Sequence, residues 1–438
     1  MRRIFTIACT LFPTLILLFI SGGCNPGLVG PNPTVGQLNV FRYVAIGDGF
    51  TAGVTNGSLE PYGYSGLYAE GQQYAFPKLI ADQFSLAQSI DFEQPILTGN
   101  GSGFLQISNM VASDCPAESP SPVISSVNPE TGWKSPYTPQ GIINNIGIPQ
   151  LKAGHLLNDT LIQLNPFFSR INFKQGSFLS MIQDSRPGFF TLWLGTTDFL
   201  AYAMKGAEYP GSLPADTEQF SAALDQLLEA MLLHAPEAKG VIGNIPDITR
   251  FPYFRTVSYL YINRDKCKGT LLPVYITTAS GIRTAAPEDL ILLPAKDKIG
   301  TDYGSGESFG LTPENPIPAY WVLDESEAKM LRNLIQSYNL RIQSKITSLN
   351  ASREKPAFAL ADIDYLTAQL AHSYTEDGLE VSTEYLSGGI FSLDGIYLTP
   401  RGNAVIANTF IRTINSFDSF GAIIPPINIT DYPGVVFP

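Results

Sequence analysis

Positive charge is scarce in this 438-residue chain: 27 Lys and Arg stand against 39 Asp and Glu, a formal net charge of −12. Loss of Arg2 and Arg3 with an N-terminal leader would make the balance more negative by two. A surface that acidic repels nucleic acid and anionic headgroups, and no run of Lys and Arg offsets it, so nucleic-acid binding is excluded. Histidine is scarcer still. His155, His234 and His372 lie far apart, and none of the four cysteines has metal-ligand spacing. Zinc chemistry is thereby excluded, and nothing points to another metal or to a cofactor. Charged residues make up only 15% of the chain and apolar ones 44%. That composition excludes disorder, and the length suits one large domain or two ordinary ones. There is no internal repeat and no low-complexity tract.

What is present begins with an address. Met1-Arg2-Arg3 is a charged start, Ile4 to Ile20 is an apolar run, and "SGGC" follows at 21–24. Small residues before a cysteine resemble the lipobox of a bacterial lipoprotein, with 1–23 removed and Cys24 lipidated; Ser21 stands where Leu is usual. The run is short for a membrane span and is interrupted by Pro13. Residues 25–40 are rich in Pro, Gly and Asn and read as a tether. The expectation is a bacterial cell-envelope protein held by lipid, most simply on the outer membrane. Cys115 and Cys267 remain, and in an oxidising compartment they could pair between two loops.

Beyond the tether, strand-like and helix-like stretches alternate. "FRYVAIG" (41–47), "DFEQPIL" (91–97), "QGIINNIG" (140–147), "GFFTLWLG" (188–195), "GVIGNIP" (240–246) and "AFALADI" (357–363) read as strands. "FPKLIADQFSL" (76–86) has helical spacing, and Phe220, Leu224, Leu227, Leu228 and Met231 form one helical stripe. A long helix follows Asp324, and a last one opens with Thr399 as N-cap and Pro400 in its first turn. The pattern predicts an α/β fold: three layers, α/β/α, with a mainly parallel sheet. Two loop-rich insertions interrupt it, at about 98–141 and 250–323, and the second could cap the sheet. The domain would span 41–420, and the apolar tail 421–438 would pack along it or on a partner. Ligands of such sheets bind beyond the carboxyl ends of the strands.

Four stretches fall at such ends. "IGDGFTAG" (46–53) resembles the first block of the SGNH (GDSL-type) hydrolases, Gly-Asp-Ser-x-x-x-Gly, through Gly47, Asp48 and Gly53, with Gly49 at the serine. "NNIGIPQ" (144–150) resembles the second through Asn145, with Gln150 at the oxyanion-hole glycine. "GTTD" (195–198) resembles the third through Gly195 and Asp198, with Thr197 at the oxyanion asparagine. "DGIYLTPRGN" (394–403) resembles the last, Asp-x-x-His, through Asp394, with Tyr397 at the histidine. The tether, "AFPKLIA" and "NIPDITRFPYF" resemble more narrowly the lipoprotein members from Bacteroidetes-type bacteria. The resemblance implies an SGNH, flavodoxin-like architecture and a cleft shared by Asp48, Gly49, Asn145, Gln150, Thr197, Asp198, Asp394 and Tyr397.

The same resemblance implies a chemistry that these residues do not supply. Acyl transfer by this route needs a hydroxyl, a histidine to take its proton and an aspartate to orient that histidine. Gly49 has no side chain, and a tyrosine with a pKa near 10 is a poor base at neutral pH. A missing oxyanion donor alone costs roughly 10²–10³ in rate. Asp48, Asp198 and Asp394 could cluster as acid–base carboxylates, although Asp48 and Asp198 also suit turn structure. His372 reads as a helix-face or core residue, and Ser102 in "GNGSGF" has no base near it in sequence. Three functions follow. One is a membrane-anchored, non-catalytic protein whose cleft binds a small ligand or a protein partner; one is an ester hydrolase using other residues; one is an assembly partner of an outer-membrane protein.

Overall fold

Five short apolar runs form one sheet: β1 Tyr43–Gly47, β2 Asn145–Gly147, β3 Phe189–Trp193, β4 Lys239–Gly243 and β5 Phe358–Ala361. This architecture comes from a computed structural model, which describes residues 32–438 except 60–62, 114–119, 208–213, 266–267 and 304–306. Cys24, Cys115 and Cys267, and with them the expected lipid anchor and disulfide, lie outside the described residues. The spatial order is β5-β4-β3-β1-β2, and every neighbouring pair is parallel. Burial is complete along β1 and β3, which is why both read as continuous apolar runs rather than alternating ones. Numbered along the chain, this is the doubly wound order 2-1-3-4-5, whose connections reverse direction between β1 and β3. The mainly parallel α/β expectation is met. The strand expected at 91–97 is reduced to a single bridge, Glu93 to Ile143.

Helices cover both faces. On one, the helix Phe76–Ala87 packs on the helix Pro400–Ser416, with Phe76 and Phe410 stacked 5.1 Å apart. Thr399 caps the latter by accepting from Gly402 N at 3.0 Å, and Pro400 fills the first turn, where no N–H is needed. On the other, the helix Thr217–Leu233 packs on Glu325–Ala351, and Phe220 stacks on Tyr338 at 3.8 Å. Asp324 opens that 27-residue helix with a capping box completed by Glu327.

The insertions depart from expectation. The first contains an antiparallel hairpin, Phe104–Val111 with Ser121–Val127. The second builds a satellite core from Val274, Ile276, Ile291, Ala295, Ile299, Phe309, Ile317, Trp321 and Val322. Its first turns also join the main core, where Phe251, Tyr253 and Phe254 are buried. Residues 33–40, read as tether, belong to the compact unit, where Thr34 pairs with Ile423 and Leu38 and Val40 are buried. Ile424, Ile427 and Ile429 of the tail are buried as well, and Asn408 exchanges hydrogen bonds of 2.7 and 2.8 Å with the Ile427 backbone.

Candidate functional site

The reversal between β1 and β3 leaves two strand ends side by side, each turning at once into a helix. After β1, Asp48 caps the short helix Gly49–Ala52, accepting from Phe50 N at 3.1 Å. After β3, Gly195 turns the chain at φ +113° into the helix Thr196–Ala203. The two turns are tied together by Asp48, whose second oxygen accepts from Thr197 N at 3.2 Å and from Thr197 Oγ1 at 2.8 Å. Asp48 is fully buried, and that burial outweighs its three hydrogen bonds and pushes its pKa up to about 6. Thr197 thus donates its hydroxyl to a structural carboxylate.

Asp394 makes the third turn. Its Oδ1 accepts from Ile396 N and Tyr397 N, both at 2.8 Å, and its Oδ2 accepts from Gly57 N. These bonds set the direction in which Tyr397 leaves the backbone. The turn also needs Gly395 at φ +68°, because a Cβ there would meet Tyr253 N at 2.8 Å. Tyr397 packs its ring on Phe50, centroids 4.9 Å apart, and its hydroxyl end lies over Gly49. A Cβ on Gly49 would sit 2.8 Å from Tyr397 Oη and 2.9 Å from Cε1. The phenol therefore fills the space a side chain at 49 would take. Burial raises its pKa, and the charges of Asp48 and Asp394 raise it further, so the hydroxyl keeps its proton.

Beside the Tyr397 ring opens a cleft of about 260 Å³. Thr197, Gln150 and Tyr397 line it. Gln150 keeps a left-handed backbone at φ +64°, the region that favours glycine, while its amide donates to Gly63 O at 2.7 Å. Gly49 lies beneath Tyr397, and Asp48, Asp394, Asn145 and Asp198 are buried behind the wall; none of these five lines the cleft. Asn145 joins β2 to the helix Gly49–Ala52 by donating to Thr51 O at 2.9 Å. Asp198 accepts Ala153 N through both oxygens, at 3.0 and 3.1 Å, and so starts the helix Ala153–Leu157. Burial raises its pKa to about 7. These carboxylates face backbone amides, so the expectation that they share a ligand site is corrected. No described residue of the expected cap at 250–323 lines the cleft either.

The model of the GDSL-like lipase/acylhydrolase family matches residues 43–410. The chain belongs to that family. No curated protein matches its sequence. Among solved structures, it is similar to a protein from Parabacteroides merdae described as a GDSL-like lipase, at 11% identity and TM-score 0.34, covering 87% of this chain and 98% of that one. An extracellular lipase from Streptomyces rimosus gives 11% identity and TM-score 0.32, over 84% of this chain and 98% of that one.

In this GDSL-like chain sequence reasoning missed His155 and Lys152, which line the cleft beside Leu161, Leu164, Leu200 and Met204. His155 Nδ1 accepts from Lys152 N at 3.3 Å, which leaves the proton of the neutral ring on Nε2. Burial and the neighbouring Lys152 charge lower its pKa to about 4. The signal available was position: "LKAGH" follows the second block at once. Ser102 is buried and bonded to Leu67 N and O, and His372 is exposed in the turn after Ile363–Leu370. Among the described residues, no group of three His, Cys, Asp or Glu side chains could hold a metal ion.

Proposed function

We propose that this GDSL-like protein is a non-catalytic binding protein whose cleft holds a small ligand and whose nucleophile position has been closed by Tyr397. The observation that supports this most is the phenol over Gly49: it takes the volume a nucleophile would need, while the cleft beside it stays open. The other polar groups at the family positions are engaged within the protein. Thr197 serves Asp48, Gln150 serves Gly63, and Asp394 serves three backbone amides. A protonated phenol with no adjacent base is neither nucleophile nor proton acceptor at neutral pH. We further propose that Cys24 carries a lipid that holds the protein in the bacterial envelope, on the outer membrane, where an outer-membrane protein could be its partner.

Hydrolysis tests the first proposal. Purified protein should cleave p-nitrophenyl butyrate no faster than its heat-denatured control. Gly49→Ser should not raise that rate, because a serine hydroxyl without a base stays protonated. The alternative is ester hydrolysis through His155, a neutral imidazole among the described residues that line the cleft. Clear wild-type turnover that vanishes in His155→Ala would establish that alternative and end the non-catalytic reading.

A further inference from the structure

A parallel sheet has two unlike ends. All its strands start at one end, where the helices that feed them finish, and the cleft lies at the other. Residues 34–42 run across the starting end. Gln37 N donates to Phe420 O at 2.7 Å, Lys239 Nζ at the head of β4 donates to Gln37 O at 3.0 Å, and Gly188 N, just before β3, donates to Arg42 O at 2.9 Å. Large apolar side chains protrude at the same end. Phe41 precedes β1 and is 66% exposed, Ile142 precedes β2 and is 47% exposed, and both border one cavity of about 500 Å³. Leu86, 62% exposed, lies in the last turn of the helix Phe76–Ala87, whose Phe84 packs on Tyr43 and Phe189, the first residues of β1 and β3, at 5.3 and 5.6 Å. Leu233, 67% exposed, ends the helix that leads to β4. Apolar side chains left in water together mark a surface that meets something apolar. Arg186, Lys239 and Lys355 lead into β3, β4 and β5 and stand there against Asp91, Glu237 and Glu354, so the net charge of −12 is not gathered at this end.

We propose that the starting end of the sheet rests on a phospholipid bilayer, with Phe41, Leu86, Ile142 and Leu233 in its interfacial layer, so that the cleft faces away from the membrane and takes its ligand from the aqueous phase. This rests on the lipid at Cys24 put forward above and adds an orientation to it. The tether selects the occupant. Thr34, where the chain joins the fold, pairs with Ile423, itself 39% exposed, and the ten residues from Cys24 to Thr34 reach at most about 35 Å. So short a link brings the end at which it enters to the membrane before the cleft end. A lipid surface also takes up separate apolar side chains without demanding a matching set of hydrogen bonds, and its hold grows with the apolar area buried.

Fluorescence of the acylated full chain in vesicles of phosphatidylethanolamine and phosphatidylcholine tests the orientation. Tryptophan is introduced at one position at a time, and the emission added to that of Trp133, Trp193 and Trp321 is followed when part of the phosphatidylcholine carries bromine on its acyl chains. Phe41→Trp should lose its added emission to bromine. Tyr365→Trp, in the first turn of the helix Ile363–Leu370 after β5 and so at the cleft end, should keep it and be quenched instead by acrylamide in the water. Phe41→Ser should pass from these vesicles to acceptor vesicles about tenfold faster than the wild type, for the one phenylalanine no longer buried in lipid. Equal response of the two tryptophans to bromine overturns the orientation and leaves the lipid anchor standing. Blue-shifted Phe41→Trp emission that bromine does not touch overturns the bilayer as occupant and gives this end to a protein. A chain without lipid at Cys24, which palmitate labelling reads separately, overturns the orientation together with the anchor. Phe41 is exposed in the fold, so Phe41→Trp and Phe41→Ser remove no core contact and the comparison does not depend on a destabilised variant.

Discussion

Gly49 and Tyr397 behave as one unit. A side chain at 49 and the phenol at 397 compete for the same few cubic ångströms, since the Cβ would lie 2.8 Å from Oη. Gly49→Ser should therefore cost about 1–3 kcal/mol as the ring is forced off Phe50. Tyr397→Ala should cost about 2–4 kcal/mol through the lost packing. The double variant should be more stable than the sum of the two by about 1 kcal/mol or more, because removing the ring makes room for the serine. Urea unfolding of the four proteins measures this, and strict additivity would show that the two residues do not share the space. Part of this site was legible from residues alone: the blocks gave the positions 49, 150, 197, 394 and 397. Their contacts were not legible. Nothing in "IGDGFTAG" says that a tyrosine almost 350 residues later lies on its glycine, because that contact depends on how two strand ends and one distant turn converge.

The turns after β1 and β3 are the elements that carry the site, and buried carboxylates hold them. Asp48 and Asp198 have folded pKa values of about 6 and about 7, against an ordinary carboxyl value of 3.8. Both are raised mainly by burial; Lys152 opposes the shift at Asp198, and Asp48 adds to it. Between pH 4 and 7 the folded protein therefore holds protons that the unfolded chain has released, so raising the pH favours unfolding. The stability these groups contribute is present below pH 4 and is lost as the pH rises through about 6 to 7. Asp198→Asn keeps an oxygen for Ala153 N and removes the titration. Chemical denaturation across this window should show wild-type stability falling with pH and a shallower fall in Asp198→Asn. Identical slopes would mean that Asp198 is ionised throughout. Sequence reading assigned Asp48 and Asp198 a turn role beside a ligand role, and their geometry matches the turn role: each faces the N–H groups of a helix start.

At the scale of the whole molecule, the two ends of the compact unit meet. Thr34 pairs with Ile423, and the tail runs back so that Ile424, Ile427 and Ile429 join the core. The chain enters the fold at Thr34, only ten residues beyond Cys24 in sequence. If Cys24 is acylated as proposed, so short a connection keeps the domain within a few tens of ångströms of the lipid. Metabolic labelling with an alkyne palmitate analogue should mark the wild type, and Cys24→Ala should lose both the label and its sedimentation with membranes. Unlabelled wild-type protein in the soluble fraction would remove the anchor from the account.

The sequence by itself determined the alternation of strands and helices, the parallel sheet and the family, because each rests on local pattern or on short blocks. Continuous apolar runs such as "FFTLW" bury both faces wherever they sit, and Thr399-Pro400 starts a helix without help from elsewhere. Tertiary structure alone decided the rest. It put Tyr397 over Gly49, turned Asp48, Asp198 and Asp394 away from the cleft, and brought Lys152 and His155 into it. It also gave the 250–323 insertion a satellite core, none of whose residues lines the cleft. The physical reason is the same in each case. A side chain's partners, and hence its charge state and reach, are set by which strand ends lie side by side, and that is a property of sheet order rather than of neighbouring residues.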